Sequence, residues 1–286
     1  MERMEYLERR RARVEDRLET VLDGVEPPAL AEQVRHVSLS GGKRVRPTLT
    51  MLTCEAAGGD PLADDTAADF AVGVELVHNA SLVIDDIIDE ADLRRGETAA
   101  HVAYGHGPAI IASDGLLGEA FHLFSADERA TQAVSEAMVE LGMGEATELV
   151  AMPEDEAEYM ALARRKTGAL FRAAAECGAI AADADPYTVE AFGEYAERVG
   201  VAFQIRDDVL DETADTQSLG KPTGHDAQME RPSIVRVADL SPGEANQRAR
   251  DESDAAIEAL ETAAARDSRA VDYLRDLAEF VVVRER

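Results

Sequence analysis

The chain has 286 residues, 45% of them hydrophobic, which is enough for one large globular core. Its 58 acidic residues against 29 basic ones give a formal net charge of −29, which argues against nucleic acid or an anionic membrane surface as a partner. Only three of the basic residues are lysines, at positions Lys43, Lys166 and Lys221.

An acidic, lysine-poor chain is typical of a salt-rich cytoplasm, where counterions screen repulsion among carboxylates. We therefore predict a halophilic protein that loses structure at low salt, and an unchanged melting temperature between about 0.1 and 3 M KCl would contradict this.

Cys54 and Cys177 have no metal-site spacing and are predicted to be buried thiols in a reducing compartment. Neither a signal peptide nor a membrane span is expected. A cytoplasmic location is expected from the reduced cysteines and the acidic composition.

In chain order, a predicted helix over residues 3–23 and a second one that starts at Pro27 and Pro28 lead to the first chemical feature. Residues 40–47 read SGGKRVRP, where two glycines let the backbone approach a ligand. Lys43, Arg44 and Arg46 add three cations within four residues. Such a loop suits a polyanion such as diphosphate; the alternative is a helix cap with scattered surface charge.

The next helices are predicted over residues 48–57 and 65–91, and the second carries the sequence DDIID. A helix rises about 1.5 Å per residue, so Asp85 and Asp89 lie one turn apart on one face, with Asp86 beside them. The polar face continues backwards through Ser81, His78 and Glu75. Carboxylates in such an apolar segment lose hydration and repel one another, so they need cations. Mg²⁺ bridging to phosphate is the natural choice.

Gly105, Gly107 and Pro108 predict a break within residues 105–114 before another apolar helix to about 124. Helical patterns follow over about 128–150 and 155–182. Lys166 and Thr167 stand within the last of these, in the sequence ARRKTGALFRAAA. Helix capping does not explain a lysine in the middle of a helix in a chain with so few lysines. We therefore predict that this pair is functional.

A second aspartate run, QIRDDVLD, follows an apolar segment. Gln204, Asp207, Asp208 and Asp211 again form a polar stripe on an otherwise apolar helix. Residues 212–233 are predicted to be a long polar loop, which is usually functional. Two or three helices fill residues 241–286. Because no segment alternates with period two and no repeat occurs, we predict one all-α domain.

Taken together, GGKRVRP, DDIIDEADLRRG, KT, FQIRDDVLD and GKPTGHD resemble, in order and spacing, the motifs of the trans-prenyl diphosphate synthases, the polyprenyl synthetase family. The resemblance covers about residues 40–231. It implies a single domain over residues 1–286 with the isoprenoid synthase fold, about ten helices around a deep central cavity, and a homodimer. It also implies a head-to-tail prenyltransferase that joins isopentenyl diphosphate to an allylic diphosphate by Mg²⁺-assisted ionisation, condensation and proton loss.

The resemblance assigns roles residue by residue. The Mg²⁺ ions, three in number with Mn²⁺ as the alternative, are held by Asp85, Asp89 and Asp207, and Asp86, Asp208 and Asp211 bind the metal or orient its water. The allylic diphosphate is bound by Arg94, Lys166, Lys221 and Arg231. Isopentenyl diphosphate is bound by Gly42, Lys43, Arg46, His78 and Arg95. Thr167 and Gln204 face the forming cation.

Product length is implied by positions before the first aspartate. In relatives that stop at fifteen carbons, bulky aromatic residues stand four and five positions before that aspartate, where this chain has Ser81 and Ala80. One turn deeper lie Val77 and Val74. The resemblance therefore implies a product of at least twenty carbons, with geranylgeranyl diphosphate as the first choice.

The chain departs from the family pattern at three places. Arg231 stands where lysine is usual, Ser113 replaces a usual glycine, and residues 144–148 read GEATE instead of GQxxD. Four alternatives remain open: a longer-chain synthase of twenty-five carbons or more, a non-catalytic subunit of a heteromeric synthase, a terpene cyclase, and an acidic helical scaffold.

Overall fold

The computed structural model of the chain describes residues 2–217, 232–263 and 268–283. In chain order the helices are α1 (Glu2–Asp23), α2 (Pro28–Leu39), α3 (Val45–Ala56), α4 (Asp65–Ile88), α5 (Ala100–Tyr104), α6 (His106–Phe124), α7 (Glu128–Ala146), α8 (Glu156–Ala163), α9 (Ala169–Ala181), α10 (Pro186–Gln217), α11 (Ile234–Val237), α12 (Pro242–Ala263) and α13 (Arg269–Val283). Single π-helical turns, Thr147–Ala151 and Arg164–Gly168, follow α7 and α8. The predicted all-α fold is confirmed.

Helices α4 and α9 form the centre of the fold. Helix α9 packs against α3, α4, α7 and α10, and α4 packs against α3, α6 and α9. The crossing of α9 with α3 depends on Gly178, because a Cβ atom there would overlap the side chain of Thr53 and the carbonyl oxygen of Thr50. The two helix backbones therefore approach more closely than larger residues would allow.

Helix α4 is the described helix that is long and apolar enough to cross a membrane, and 72% of its apolar window is buried inside the fold. Its start is fixed by Asp64, whose side chain accepts a hydrogen bond from the Thr66 N–H at 2.8 Å. The apolar side chains of α4 thus belong to the protein core, and the helix delivers its last turn to the predicted site.

A β-hairpin, which the sequence did not predict, follows α4. Strand β1 (Leu93–Arg94) pairs antiparallel with β2 (Glu97–Thr98). The turn residues Arg95 and Gly96 both have positive φ, at 55° and 86°, as a two-residue hairpin turn of this type requires. Strands of two residues are too short to show alternation of apolar and polar residues, so their sequence does not predict them.

Several predicted boundaries are wrong. The helix predicted to end at residue 91 ends at Ile88, where the chain turns through Glu90 at a φ of 51°. The helix predicted over 155–182 is divided into α8 and α9 by a π-helical turn. Helix α10 continues to Gln217, although a loop was predicted from residue 212. The rest of that predicted loop, with Lys221 and Arg231, lies mostly outside the described residues.

Candidate functional site

The first aspartate run forms the C-terminal turn of α4. No basic residue lies in that turn, and the Asp89 N–H donates to the Asp85 carbonyl oxygen at 2.8 Å. The helix dipole disfavours carboxylates at this end and favours cations by roughly 0.3–1 kcal/mol each. Asp85 and Asp89 therefore fit a site for a hard divalent cation such as Mg²⁺.

Asp86 is engaged differently from its neighbours. Asp86 is 3% exposed, and its carboxylate accepts a hydrogen bond from the Arg94 Nε at 2.8 Å. Because Arg94 lies on β1, this ion pair ties the hairpin to the end of α4. The roles of Asp86 at the metal and of Arg94 at the allylic diphosphate stay predictions.

Three side chains predicted for isopentenyl diphosphate lie on one side of α4. Arg46 Nη1 is 3.3 Å from His78 Nε2, and Arg95 Nη1 donates to the Gly41 carbonyl oxygen at 2.7 Å. Gly42 has a φ of 124°, and a Cβ atom there would lie 2.8 Å from Arg95 Nη1. Glycine at position 42 is therefore needed both for the backbone conformation and for the close approach of Arg95.

Burial disfavours the charged forms of all three groups in this cluster of Arg46, His78 and Arg95. Desolvation lowers the pKa of Arg46 to about 10, although Glu75 acts in the opposite direction. Desolvation, with Arg46 as the next cause, lowers the pKa of His78 well below its usual value. Desolvation also lowers the pKa of Arg95. An anion bound here would relieve the repulsion among these groups.

The other two cations of the SGGKRVRP segment have different surroundings. Lys43 is exposed and borders a groove of about 520 Å³ between α1, α3 and α13. Arg44 is buried and donates to Glu75 Oε1 at 2.6 Å and to the Ser38 carbonyl oxygen at 2.7 Å. The prediction that all three cations serve a polyanion is wrong for Arg44, because Glu75 already neutralises it.

This buried pair gives a stability prediction. The Arg44 and Glu75 side chains are 4% and 3% exposed, so removing one partner leaves an uncompensated buried charge. We expect Glu75→Ala to lower the free energy of unfolding by about 3–5 kcal/mol in denaturant titrations. The control is Glu5→Ala, which breaks an exposed pair with Arg9 and is expected to cost about 0.5 kcal/mol or less. Equal losses in the two variants would contradict the prediction.

A hydrogen-bonded chain connects the predicted cation-facing residues to the second aspartate run. Thr167 Oγ1 donates to Gln204 Oε1 at 2.8 Å, and Gln204 Nε2 donates to Asp208 Oδ1 at 3.0 Å. Asp208 Oδ2 accepts from the Tyr159 hydroxyl at 2.6 Å and from the Ile234 N–H at 2.9 Å. Asp208 thus holds the side chain of Gln204 and the start of α11 in fixed positions.

Two glycines bring the elements of this chain together. A Cβ atom on Gly200 would lie 3.0 Å from the Gly168 Cα, so α10 crosses the π-helical turn at close range. Burial raises the pKa of Asp208 to about 6, and the hydrogen bond from Tyr159 acts against that rise. Sequence reasoning missed Tyr159, because nothing but its apolar surroundings on α8 distinguishes it.

Lys166 lies between two glutamates. Its Nζ is 3.0 Å from Glu145 Oε1 and also contacts the Glu148 carboxylate. Glu148 belongs to the π-helical turn Thr147–Ala151 and Lys166 to the turn Arg164–Gly168, so the ion pair joins the two turns. Such turns are frequent at functional sites. The GEATE segment, noted only as a departure from the family pattern, therefore supplies both carboxylates that position Lys166.

The two aspartate runs lie on different helices, and α9 packs against both. Asp207 is half-buried and Asp211 exposed on α10. Within residues 2–217, 232–263 and 268–283, no three aspartate, glutamate, histidine or cysteine side chains converge on one cation position. Mg²⁺ is compatible with this, because it is usually bound by one or two carboxylates together with substrate phosphates. The carboxylates would therefore hold metal ions together with a substrate diphosphate.

The predicted chain-length residues precede the aspartates on α4. Ala80, Val77 and Val74 are at most 1% exposed. The Ser81 hydroxyl donates to the His78 carbonyl oxygen at 2.8 Å. Ser113 on α6 donates to the Ala80 carbonyl oxygen at 3.0 Å. This contact accounts for serine at position 113, because its hydroxyl connects α6 to α4 at the level of Ala80.

Comparison with known proteins gives concordant matches. The family model described as polyprenyl synthetase matches residues 27–274. The chain is 35% identical to the short chain isoprenyl diphosphate synthase of Methanothermobacter thermautotrophicus, over 84% of this chain and 76% of that protein. It is 34% identical to the geranylfarnesyl diphosphate synthase of Aeropyrum pernix, over 92% and 87% of the two chains. The crystal structure of geranylgeranyl pyrophosphate synthetase from Pyrococcus horikoshii superimposes with a TM-score of 0.88 at 32% identity, covering 99% of each chain.

Proposed function

Since this chain belongs to the polyprenyl synthetase family, we propose that it is a prenyltransferase that joins isopentenyl diphosphate head to tail to an allylic diphosphate. The observation that carries the proposal is the placement of two unlike clusters beside α4, one cationic and one of carboxylates. The cations Arg46, His78 and Arg95 can bind one diphosphate directly, whereas Asp85 and Asp89 can bind another only through metal ions. Two different binding sites suit a reaction in which two substrates each carry a diphosphate, because only the diphosphate of the allylic substrate has to leave.

Metal ions serve the leaving group. Asp85, Asp89, Asp207 and Asp211 would hold three Mg²⁺ ions, or Mn²⁺. When bound, the metal neutralises charge that develops on the departing diphosphate, an effect worth several kcal/mol. Arg94 and Lys166 bind the same diphosphate with their own positive charges, together with Lys221 and Arg231.

The reaction follows from how the two substrates are held. The C–O bond of the allylic diphosphate breaks, and its electron pair leaves with the diphosphate. Gly42, Lys43, Arg46, His78 and Arg95 hold isopentenyl diphosphate so that its double bond attacks the allylic carbon. A proton then passes from the adjacent carbon to the released diphosphate. The product is an allylic diphosphate that is one isoprene unit longer.

The side chains of Thr167 and Gln204 face the allylic cation. Their hydrogen bonds, which run through Asp208 to Tyr159, keep both dipoles in fixed orientations. Fixed dipoles stabilise developing charge without reorganising during the reaction. Asp208 acts as the positioning residue of this chain.

The product is geranylgeranyl diphosphate, with a longer chain as the alternative. Ala80 and Ser81 put no bulky side chain on α4 at the level where relatives that make fifteen carbons carry aromatic residues. Relatives of this chain are named as short chain and geranylfarnesyl diphosphate synthases, and neither printed name decides the length for this protein.

The enzyme acts as a homodimer in a salt-rich cytoplasm. Support for a second copy comes from apolar side chains exposed on α6 and α7, with exposed fractions of 59% for Ile111 and 62% for Val139. A second copy covering these side chains would remove them from water. The salt-rich compartment is inferred from the net charge of −29 and agrees with the two buried, free cysteines.

Release of diphosphate tests the proposal and separates it from the alternatives. Purified protein in molar KCl with Mg²⁺ should release diphosphate only when both isopentenyl diphosphate and an allylic diphosphate are present. Release from the allylic diphosphate alone, unaffected by isopentenyl diphosphate, would favour a terpene cyclase. No release with either substrate set would favour a non-catalytic subunit and contradict the proposal.

A further inference from the structure

Two carboxylates contact Lys166 in different ways. The Lys166 Nζ donates a hydrogen bond to Glu148 Oε2. Glu145 Oε1 is 3.0 Å from the same Nζ, yet this oxygen is buried and accepts no hydrogen bond from the described part of the chain. A carboxylate oxygen in that position has lost its hydration without gaining a hydrogen-bond donor, which is unfavourable. Glu148 therefore satisfies the ammonium group of Lys166, whereas Glu145 adds a negative charge that is poorly satisfied.

Glu145 is also the position at which this chain gains a charge relative to the family pattern. Residues 144–148 read GEATE, where GQxxD is usual. Glu148 exchanges one carboxylate for another, so the charge at that position is unchanged. Glu145 stands where the family has an uncharged glutamine. Because two glutamates face one lysine, the group of Glu145, Glu148 and Lys166 carries a surplus negative charge that the usual residues would not give.

This charged group is partly buried and borders the second aspartate run. The side chains of Lys166, Glu145 and Glu148 are at most 22% exposed, and salt screens charges at such sites less than charges on an open surface. Burial raises the pKa of Tyr159 well above its usual value, and Asp207 and Glu148 both add to that rise. Asp207 and Glu148 thus lie within electrostatic range of the same hydroxyl. The surplus charge therefore acts close to the aspartates that we propose hold metal at the leaving diphosphate.

We infer that Glu145 weakens binding of the allylic diphosphate, because its carboxylate competes with the diphosphate for the positive charge of Lys166. The inference rests on the proposed function, in which Lys166 binds the diphosphate that leaves. Like charges at close range disfavour one another, so a diphosphate that approaches Lys166 meets the surplus charge of Glu145. Isopentenyl diphosphate is bound instead by the cluster of Arg46, His78 and Arg95. Glu145 thus sets the affinity for one of the two substrates and not for the other.

Equilibrium binding of labelled farnesyl diphosphate, the allylic diphosphate of fifteen carbons, tests the inference. Mg²⁺ is present and isopentenyl diphosphate is absent, so no condensation takes place during the measurement. Glu145→Gln removes the charge and keeps the shape of the side chain. We expect it to lower the Kd for farnesyl diphosphate by about tenfold, or about 1.4 kcal/mol, and to change the Kd for isopentenyl diphosphate by less than about twofold. If Glu145→Gln does not fold, Glu145→Ala removes the same charge.

Two control variants separate the charge of Glu145 from other effects of substitution. Glu140→Gln removes a carboxylate from the same helix, where it pairs with Arg165 at 3.3 Å, and should leave both Kd values unchanged. Glu145→Asp keeps the charge and should bind farnesyl diphosphate as the wild type does. An unchanged Kd in the folded Glu145→Gln or Glu145→Ala variant, or an equal gain in either control, would overturn the inference. A wild-type protein that binds neither diphosphate would instead contradict the proposed function.

Discussion

Asp85→Asn is expected to lower kcat by about 1,000-fold or more. Asp85 lies in the last turn of α4, and we propose that it holds metal at the leaving diphosphate. Metal neutralisation is worth several kcal/mol, and each 1.36 kcal/mol corresponds to a factor of ten in rate. Steady-state turnover at saturating Mg²⁺ measures the effect.

The matched control is Glu154→Gln, which removes one carboxylate from an exposed surface run. It should keep wild-type turnover, because it lies among other exposed acidic residues. Circular dichroism in molar KCl checks that both variants are folded. An Asp85→Asn variant that is folded and keeps more than about one tenth of wild-type kcat would contradict the metal role, since that loss is below 1.4 kcal/mol.

Ser81→Phe is expected to change the product completely, from at least twenty carbons to fifteen. Ser81 is half-buried, and its hydroxyl bonds only to its own helix backbone at the His78 carbonyl oxygen among the contacts described. An aromatic ring there would occupy the path of the chain end. Ala80→Phe, one residue earlier and 1% exposed, should act in the same direction with some loss of stability from overpacking.

Chromatography of labelled products measures this change, and Ser81→Ala is the control. Alanine removes the hydroxyl without adding volume, so product length should stay as in the wild type. If Ser81→Phe remains active and makes the wild-type product, the path of the growing chain does not pass this face of α4.

Motif spacing predicted where the first aspartates lie relative to one another, because the spacing of residues within one helix is fixed, whereas their roles stay predictions. Asp85 and Asp89 lie one turn apart at the end of α4, as the helical period required. The partners of the other polar residues on this face of α4 were not predicted. Glu75 was placed on the same polar face as the aspartates, but it is buried in an ion pair with Arg44. The helical period shows which residues share a face, and it does not show which partner each side chain contacts.

Contacts between distant segments could not be derived from spacing. Tyr159 reaches Asp208 across 49 positions, and Phe124 reaches Gly73 across 51 positions, a contact that depends on how α6 packs against α4. The hairpin at Arg95 was missed because its strands are too short to have a period. These features arise from tertiary packing, and a single sequence carries little local signal for them.

The most direct test of the central claim is the length of the product that the purified protein makes. Labelled isopentenyl diphosphate is supplied with each allylic diphosphate in turn, in molar KCl with Mg²⁺, and the products are separated by chain length. We expect a discrete product of twenty carbons. Failure of the protein to extend any allylic diphosphate would contradict its function as a prenyltransferase.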